Sequence, residues 1–282
     1  MHNYQRLWKK IPIIRECARV YTRRKRASRT YREKQKLAWA WSFKRTEFSN
    51  YYYDITVRNR MDLAFTISHI TRMPLSDIES YFHEINSNLQ FKDALMAFRK
   101  NNSDMRDSTM AIARREGWYA FVRAIKPRLV VETGVHHGVG ALTICTALQL
   151  NHEEGFEGEY VGVDVNPTSG ILLTKPFNIF GKVEITDSLE FLKNNTTPID
   201  LFINDSDHNE EYEAKEYALI KCKLGKNAII LGDNSHASDA LRTFSIENGR
   251  DFLFFKEEPL DHFYYGAGIG ISFKSSDFDV RW

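Results

Sequence analysis

The sequence lacks several features that would place it in a class at once. It has no run of roughly 18 apolar residues, the length that a membrane-spanning helix needs. Basic residues near the start are not followed by the apolar segment of a secretory signal, so we expect a cytoplasmic protein. The three cysteines, Cys17, Cys145 and Cys222, are widely spaced and form no metal-binding pattern, which favours a reducing compartment.

Glycine is missing before Gly117, and acidic residues are scarce near the start. The lack of glycine predicts a helical region over residues 1–115. Residues 1–46 contain 15 Lys and Arg against Glu16 and Glu33, a balance of +13, whereas the remaining 236 residues carry 24 basic and 35 acidic groups, a balance of −11. Such asymmetry favours contact between residues 1–46, here called the basic arm, and an anionic partner.

A helix start is predicted inside the helical region. In "PLSDIESYFHEI", Ser76 and Glu79 have the spacing of a capping box. Ile78, Tyr81, Phe82 and Ile85 follow at helical spacing, which predicts one apolar face.

From Trp118 onward, short apolar runs alternate with helical patterns. The runs are "RLVVE", "EYVGVDV", "KVEI", "IDLFIN", "NAIILGD", "DFLFF" and "GIGISF". Strand–helix alternation predicts an α/β protein with a Rossmann-like seven-stranded sheet, mostly parallel. No helical pattern separates the last two runs, so they are predicted to form an antiparallel hairpin at the sheet edge. The chain is accordingly divided into a helical region, 1–115, and an α/β domain, 116–282.

A glycine-rich loop follows the first predicted strand. In "LVVETGVHHGVG", an apolar run ends in Glu132 and is followed by Gly134, Gly138 and Gly140. Glycines here let the backbone approach a ligand, and the next helix offers free N–H groups. The spacing differs from the G-x-G-x-x-G of dinucleotide-binding proteins, and no Gly-Lys-Ser/Thr follows, which excludes a Walker A loop. The alternative is a tight turn without a ligand.

The pattern E-x-G-x-x-x-G resembles that of class I S-adenosylmethionine-dependent methyltransferases, over about residues 118–274. The resemblance implies that the glycine loop binds S-adenosylmethionine, with Glu132 facing its ammonium group. The run "YVGVDV" ends in Asp164, which is expected to accept hydrogen bonds from the ribose hydroxyls. The resemblance further implies that Asp187 and Ser188 lie near the adenine, although Asp187 would equally suit a helix N-cap.

Two further polar clusters follow the fourth and fifth strands. They are "NDSDHNEEY", with Asp205 and His208, and "GDNSH", with Asp233, Asn234 and His236. Ligands bind at the carboxyl ends of strands in open α/β sheets, so both clusters are expected at one crevice. Asp205, Asp233 and Asn234 offer the oxygen ligands that suit Mg²⁺ or Mn²⁺.

The acid set resembles the metal site of catechol-type cation-dependent O-methyltransferases. "DSDHNEEY" also resembles the D-G-D-H-x-Y element of methyltransferase family 24, with Ser206 in place of glycine and an extra residue before the tyrosine. These resemblances imply a cation-assisted O-methyltransferase in which Asp205 is catalytic and also lies beside the methyl donor. His208 is predicted as the base that takes the acceptor proton, and His236 is the second candidate. Acceptor-lining groups are expected at His262, Tyr264 and Tyr265.

Other functions are compatible with the same fold. The basic, aromatic arm would suit a nucleic-acid methyltransferase, and an amine acceptor is a further alternative. Base methyltransferases commonly carry an N/D-P-P-Y/F element after strand four, whereas this chain has "NDSDH". A non-catalytic cofactor-binding scaffold is another reading, against which the acids at all five motif positions argue. We therefore expect an enzyme that methylates a hydroxyl of a small molecule or sugar.

Residues 1–115 are predicted to close the acceptor pocket and to form a homodimer or larger homo-oligomer. Their aromatic and aliphatic side chains need a surface to bury against, and the acidic body of a second copy would attract the basic arm. The alternative partner of the basic arm is an anionic membrane, with the protein peripheral to its inner face.

Overall fold

The computed structural model describes residues 12–47, 52–207 and 209–275. The chain separates into two compact units. The smaller comprises Met1–Lys44 with Asp261–Tyr265, and the larger comprises Arg45–Leu260 with Gly266–Trp282. The predicted boundary between residues 115 and 116 falls inside the larger unit, next to the first residue of a helix.

The smaller unit is built on one long helix, α1 (Pro12–Trp41), in which no residue is buried. The Lys34 ammonium donates hydrogen bonds to the carbonyl oxygens of His262 and Tyr264, at 2.7 and 2.9 Å. The rings of Trp41 and Phe263 lie 4.8 Å apart. The segment Asp261–Tyr265 is therefore held against the helix by one lysine and one aromatic pair.

The larger unit contains a seven-stranded sheet and the remaining described helices. The strands are β1 (Leu129–Thr133), β2 (Glu159–Asp164), β3 (Gly181–Ile185), β4 (Ile199–Asn204), β5 (Leu224–Gly232), β6 (Asp251–Lys256) and β7 (Gly268–Phe273). The helices are α2 (Val57–Thr71), α3 (Leu75–Ser87), α4 (Leu89–Asn101), α5 (Arg115–Ile125), α6 (Val139–Glu153), α7 (Ser188–Asn194), α8 (Glu210–Ile220) and α9 (Ala240–Glu247).

The sheet has the order β3-β2-β1-β4-β5-β7-β6, which confirms the predicted Rossmann-like fold. Strands β1 to β5 are parallel, whereas β7 runs antiparallel to both β5 and β6. Every residue of β1 is buried, as expected for a central parallel strand covered on both faces. The antiparallel edge pair predicted from "DFLFF" and "GIGISF" is confirmed.

Alternate residues along the strands point into a core shared with α7, α8 and α9. Leu129 and Val131 of β1 pack there with Phe202 of β4 and Ile230 of β5. The intervening side chains face α5 and α6, where Trp118 and Phe121 of α5 are fully buried. The two helix layers thus leave the ends of the strands as the place where polar side chains can meet a ligand.

The predicted capping box is wrong, although the apolar face behind it is confirmed. Helix α3 begins at Leu75, with Pro74 at the N-cap position and no side-chain cap. The proline fixes a backbone angle that suits a helix start, so Ser76 already lies in the first turn and its hydroxyl contacts Asp77. Ile78, Phe82 and Ile85 are buried. Among the described helices, none has both the length and the apolar character to cross a membrane.

Candidate active site at the ends of the parallel strands

The glycine loop between β1 and α6 is shaped by close approach of other backbone segments. Gly134 and Gly138 have φ angles of 85° and 90°. A Cβ atom on Gly134 would lie 2.0 Å from the carbonyl oxygen of Asp205, and one on Gly138 would lie 2.9 Å from the Cα atom of Gly170. Only glycine fits at Gly134, so the loop carries the first residue after β4 directly against its own start.

Glu132 lies beneath this loop. It is 1% exposed, and the Tyr160 hydroxyl donates a hydrogen bond to its carboxylate at 2.5 Å. A Cβ atom on Gly140 would meet the Glu132 carboxylate at 2.3 Å, so the glycine makes room for the acid. Burial raises the pKa of Glu132 to about 8, despite the opposing effects of Tyr160 and Arg115. The predicted contact with the donor's ammonium group stays a prediction.

Asp164, at the end of β2, ties the loop to its neighbouring strand. Its carboxylate accepts hydrogen bonds from the backbone N–H groups of Val135, His136 and Asn166, at 2.9 to 3.0 Å. Burial acts to raise the pKa of Asp164, but these backbone donors outweigh it and hold the pKa below its ordinary value. An ionised carboxylate that is half-buried at this edge suits ribose hydroxyls, which donate to it.

Asp187 and Ser188 lie after β3, at the start of α7. The Asp187 carboxylate accepts from the backbone N–H groups of Leu189 and Glu190, which confirms the N-cap interpretation. The Tyr212 hydroxyl lies 3.1 Å from Asp187 and 2.8 Å from the Ser188 hydroxyl. The tyrosine of the "DSDHNEEY" element therefore connects the segment after β4 with that after β3, while contact with adenine stays a prediction.

The departure from the family element at Ser206 has a structural explanation. The Ser206 hydroxyl donates to the Glu216 carboxylate at 2.7 Å, and the Asn204 side chain donates to the same group at 2.5 Å. Glu216 is fully buried on α8. The serine thus supplies one of the two donors that this oxygen of Glu216 receives.

Asp233, after β5, belongs to a buried ion-pair network. Both of its carboxylate oxygens accept hydrogen bonds from the Arg114 guanidinium. Arg114 also contacts the carboxylate of Glu257 at 3.2 Å, and Glu257 accepts from the Tyr53 hydroxyl at 2.8 Å. Burial acts to raise the pKa of Asp233, but Arg114 lowers it below its ordinary value. The acid is therefore ionised and paired.

Asp205 and Asn234 complete the cluster at the ends of β4 and β5. The Asp205 carboxylate lies 3.6 Å from the Arg115 guanidinium. Burial, and then the neighbouring Asp233, raise the pKa of Asp205 above its ordinary value. Asn234 is 1% exposed, and neither its side-chain oxygen nor its nitrogen has a hydrogen-bond partner.

This arrangement does not fit the predicted divalent cation. Both oxygens of Asp233 already accept from the Arg114 guanidinium, so a divalent cation at Asp205, Asp233 and Asn234 would lie beside that positive charge. Within residues 12–47, 52–207 and 209–275, no three His, Cys, Asp or Glu side chains are grouped as a metal site. Guanidinium groups supply the positive charge that the acids need, so we derive no chemistry through a cation.

The structure describes only one of the two histidines predicted to take the acceptor proton. His208 lies outside the described residues. The Nδ1 atom of His236 lies 3.2 Å from the carbonyl oxygen of Asp233, and the residue is exposed. His262, Tyr264 and Tyr265, the predicted acceptor-lining residues, belong to the smaller unit.

Arg114 and Arg115, at the start of α5, were not predicted as site residues. They precede the buried helix "EGWYAFV", and both are less than 10% exposed. The available signal was a pair of charges at the edge of an apolar helix, which need acids for partners when buried.

A cavity of about 290 Å³, lined by Ile85, Phe91, Leu95 and Met110 among others, contains none of the predicted site residues.

Comparison with known proteins gives one family match and several similar folds. Residues 131–235 match the sequence model of a family described as a methyltransferase domain. No match is found among curated proteins.

Similar solved structures include SAH-bound methyltransferase PaMTH1 of Podospora anserina, at 18% identity over 71% of this chain and 94% of that chain, with a TM-score of 0.49. Another is the Bacillus cereus O-methyltransferase in complex with SAH, at 14% identity over 70% and 100%, with a TM-score of 0.47. A third is O-methyltransferase TomG of Streptomyces achromogenes, involved in tomaymycin synthesis and in complex with SAM, at 13% identity over 67% and 91%, with a TM-score of 0.47. Identities this low concern the fold alone.

Proposed function

We propose that the chain, whose residues 131–235 match a family described as a methyltransferase domain, is an S-adenosylmethionine-dependent methyltransferase that acts on a hydroxyl oxygen of a small molecule or sugar. The observation that carries the proposal is the junction at Gly134. There the glycine loop meets the backbone of Asp205, while Asp164 accepts from the amides of the same loop. Nucleoside-binding and acceptor-side groups thereby share one edge of the sheet.

The strand order supports a direction for the bound donor. Asp187 follows β3, Asp164 follows β2, the glycine loop follows β1 and Asp205 follows β4, and these strands are neighbours in that order. With adenine near Asp187 and ribose at Asp164, the sulfur and amino-acid part fall between the glycine loop and Asp205.

The reaction needs an acceptor oxygen aligned with the methyl group. S-adenosylmethionine supplies a methyl group on a positively charged sulfur. The acceptor oxygen attacks the methyl carbon, the carbon–sulfur bond breaks with its electrons passing to sulfur, and the hydroxyl proton goes to a base. Holding the two partners in line contributes several kcal/mol at the order-of-magnitude level. His208 is our first candidate for the base and His236 the second, because both follow strands that end at this edge.

Binding of S-adenosylhomocysteine tests the proposal without knowledge of the acceptor. Asp164→Ala removes the acceptor of the ribose hydroxyls and should weaken binding by about 1 to 3 kcal/mol in calorimetry. Asp62→Ala, at an exposed acid on α2, is the matched control and should bind like the wild type. Equal affinity in Asp164→Ala and wild type would contradict the assigned donor site.

The acceptor class is tested by transfer of a labelled methyl group from S-adenosylmethionine. We expect label in small-molecule or saccharide fractions of an extract and none in added nucleic acid. Label in nucleic acid or on an amine would favour the alternative N-methyltransferase, and tight binding of donor with no transfer to any fraction would favour a scaffold.

The predicted cation is tested separately. Arg114 occupies both oxygens of Asp233, so we expect the protein to leave the electron paramagnetic resonance signal of Mn²⁺ unchanged at stoichiometric concentration. Activity should persist in excess chelator. Loss of activity that Mg²⁺ or Mn²⁺ restores would show that a cation displaces Arg114 during the reaction.

A further inference from the structure

Arg115, the first residue of α5, has hydrogen-bonding capacity that the described protein leaves unused. It is 8% exposed, and its Nε and Nη1 atoms have no hydrogen-bond partner. Its nearest acid is Asp205, at 3.6 Å, and its guanidinium lies 5.2 Å from the centre of the Trp118 ring. The ring and the acid hold the guanidinium in place while two of its donor atoms remain free.

The other buried arginines of the larger unit differ in this respect. Arg114 bonds Asp233 and Glu257, and Arg123 bonds Glu84, Asn151 and Glu154. Arg250 donates to the Ser272 hydroxyl and to the carbonyl oxygens of Ala228 and Ser272. Burying a guanidinium is costly unless its N–H groups have partners. Free donors on Arg115 therefore indicate that an anion from outside the chain completes its hydrogen bonds.

The position of Arg115 identifies which part of a ligand would reach it. Asp205, its ion-pair partner, is the residue whose backbone packs on Gly134 at the start of the glycine loop. Asp164 follows β2 and Asp187 follows β3, and both strands lie on the other side of β1 from β4 in the order β3-β2-β1-β4. A nucleoside bound at Asp164 and Asp187 would extend its amino-acid end toward β4, where Arg115 and Asp205 meet.

We propose that Arg115 binds the carboxylate of the methionine moiety of S-adenosylmethionine, while Asp205 joins Glu132 in facing the ammonium group of the same moiety. The inference rests on the proposed function. A zwitterionic amino-acid head group offers one anion and one cation, which matches an arginine and an aspartate side by side. The carboxylate accepts from Nε and Nη1 in the paired geometry that guanidinium and carboxylate favour. Free donor atoms and the Asp205 contact carry the assignment.

Two ligands that differ in the head group test it. S-adenosylhomocysteine carries the carboxylate and ammonium groups, whereas 5′-methylthioadenosine keeps the nucleoside and sulfur without them. The wild type should bind the first more tightly in calorimetry. In Arg115→Met, that preference should fall about 10- to 100-fold, the loss expected for hydrogen bonds to a charged group, while the affinity for 5′-methylthioadenosine stays within about threefold. Arg115→Lys keeps the charge without the paired geometry and should lose part of the preference.

Arg242→Met is the matched control. Arg242 also pairs with an aspartate, Asp239 at 2.9 Å, and lies 5.5 Å from an aromatic ring, that of Phe252, but its side chain is 50% exposed. Its replacement should leave the preference unchanged. Because the preference is a ratio within one variant, partial destabilisation of Arg115→Met does not mimic the effect.

The outcomes are distinct. A preference in Arg115→Met equal to that of the wild type would overturn the assignment, and Arg115 would not contact the donor's carboxylate. A wild type that binds neither ligand would overturn the proposed function itself. If that unchanged preference comes with equal losses for both ligands, Arg115 supports the whole pocket instead.

Discussion

At the scale of single residues, Glu132 shows how burial changes the chemistry of an acid. Its carboxylate lies under the glycine loop, 1% exposed, with the Tyr160 hydroxyl as its bonded partner. Burial penalises the charged form and raises its pKa to about 8. A neutral acid at this position fills the space beneath Gly140 and stabilises the loop without needing a cation.

The raised pKa of Glu132 predicts a pH-dependent stability. The folded state holds the proton more tightly than the unfolded chain, whose Glu pKa is near 4.5. Its contribution is thus fully present below about pH 4.5 and is lost as the pH rises through 8. The upper limit is about 5 kcal/mol, from 3.5 pKa units at roughly 1.4 kcal/mol each.

Glu132→Gln isolates this effect, since glutamine has a similar shape and does not titrate. The free energy of unfolding in urea is measured for both proteins between pH 5 and 8.5. As the pH rises, the value for the wild type should fall relative to that of the variant, because only the wild type loses this contribution. A difference that stays constant over this range would show that Glu132 is already ionised at pH 5 in the folded protein.

Single residues also mark the limit of prediction from the sequence. Glycines and acids at strand ends are recognisable because a periodic apolar run precedes them, as with Asp164 after "YVGVD". The pairing of Arg114 with Asp233 joins residues 119 positions apart. It depends on how the start of α5 comes to lie at the end of β5, which periodicity does not encode. Oxygen ligands alone predict a cation at this position, and the sequence does not reveal that another element supplies a guanidinium to the same acid.

At the scale of elements, two left-handed glycines, one before α6 and one after it, lie in different surroundings. Gly134 has φ 85° and faces the carbonyl oxygen of Asp205, whereas Gly155, beyond the end of α6, has φ 88° and no atom within 4 Å of an added Cβ. The two positions share a backbone conformation and differ in their surroundings.

These glycines form a matched pair of substitutions. Gly155→Ala should cost about 1 to 2 kcal/mol in the free energy of unfolding, the penalty for a left-handed alanine. Gly134→Ala should cost about 1 to 3 kcal/mol more because its methyl group would overlap Asp205, and it should also weaken S-adenosylhomocysteine binding. Urea unfolding and calorimetry measure both effects. Equal costs for the two substitutions would mean that the contact between the loop and β4 is loose.

Whole elements were more predictable than their ends. The seven strands and the antiparallel edge pair follow from apolar runs and from the missing helix between the last two. The predicted start of α3 is wrong by two residues because Pro74 has the N-cap position given to Ser76. A capping box and a proline-led helix start share the same few residues, and the choice depends on backbone angles that side-chain patterns do not fix.

At the scale of the whole molecule, opposite charges are concentrated in different segments. Helix α1 contains ten Lys and Arg against two acids, with no buried residue, while residues 47–282 carry a balance of −11. Ile13, Val20, Tyr21, Tyr31 and Trp39 on this helix are exposed large hydrophobics. Apolar side chains among positive charges suit either the acidic surface of a second copy or an anionic membrane.

Deletion of residues 1–44 separates these partners. The cut ends before Arg45, whose backbone N–H donates to the Asp107 carboxylate within the larger unit, so that contact is kept. If the basic arm forms a homodimer contact, the truncated protein should scatter light as a monomer, where the full chain scatters as a dimer, and should still bind S-adenosylhomocysteine. Both interactions are screened by salt, so the salt dependence of either one does not distinguish them.

Sedimentation with vesicles containing phosphatidylglycerol is measured in parallel, since each Lys or Arg near such a surface contributes about 1 kcal/mol. Full-length protein with Tyr21→Ser and Trp39→Ser is the matched control, because it removes aromatic anchors and keeps the charge. A truncated protein that keeps its oligomeric mass but no longer sediments with the vesicles would contradict the dimer role and assign the basic arm to the membrane surface.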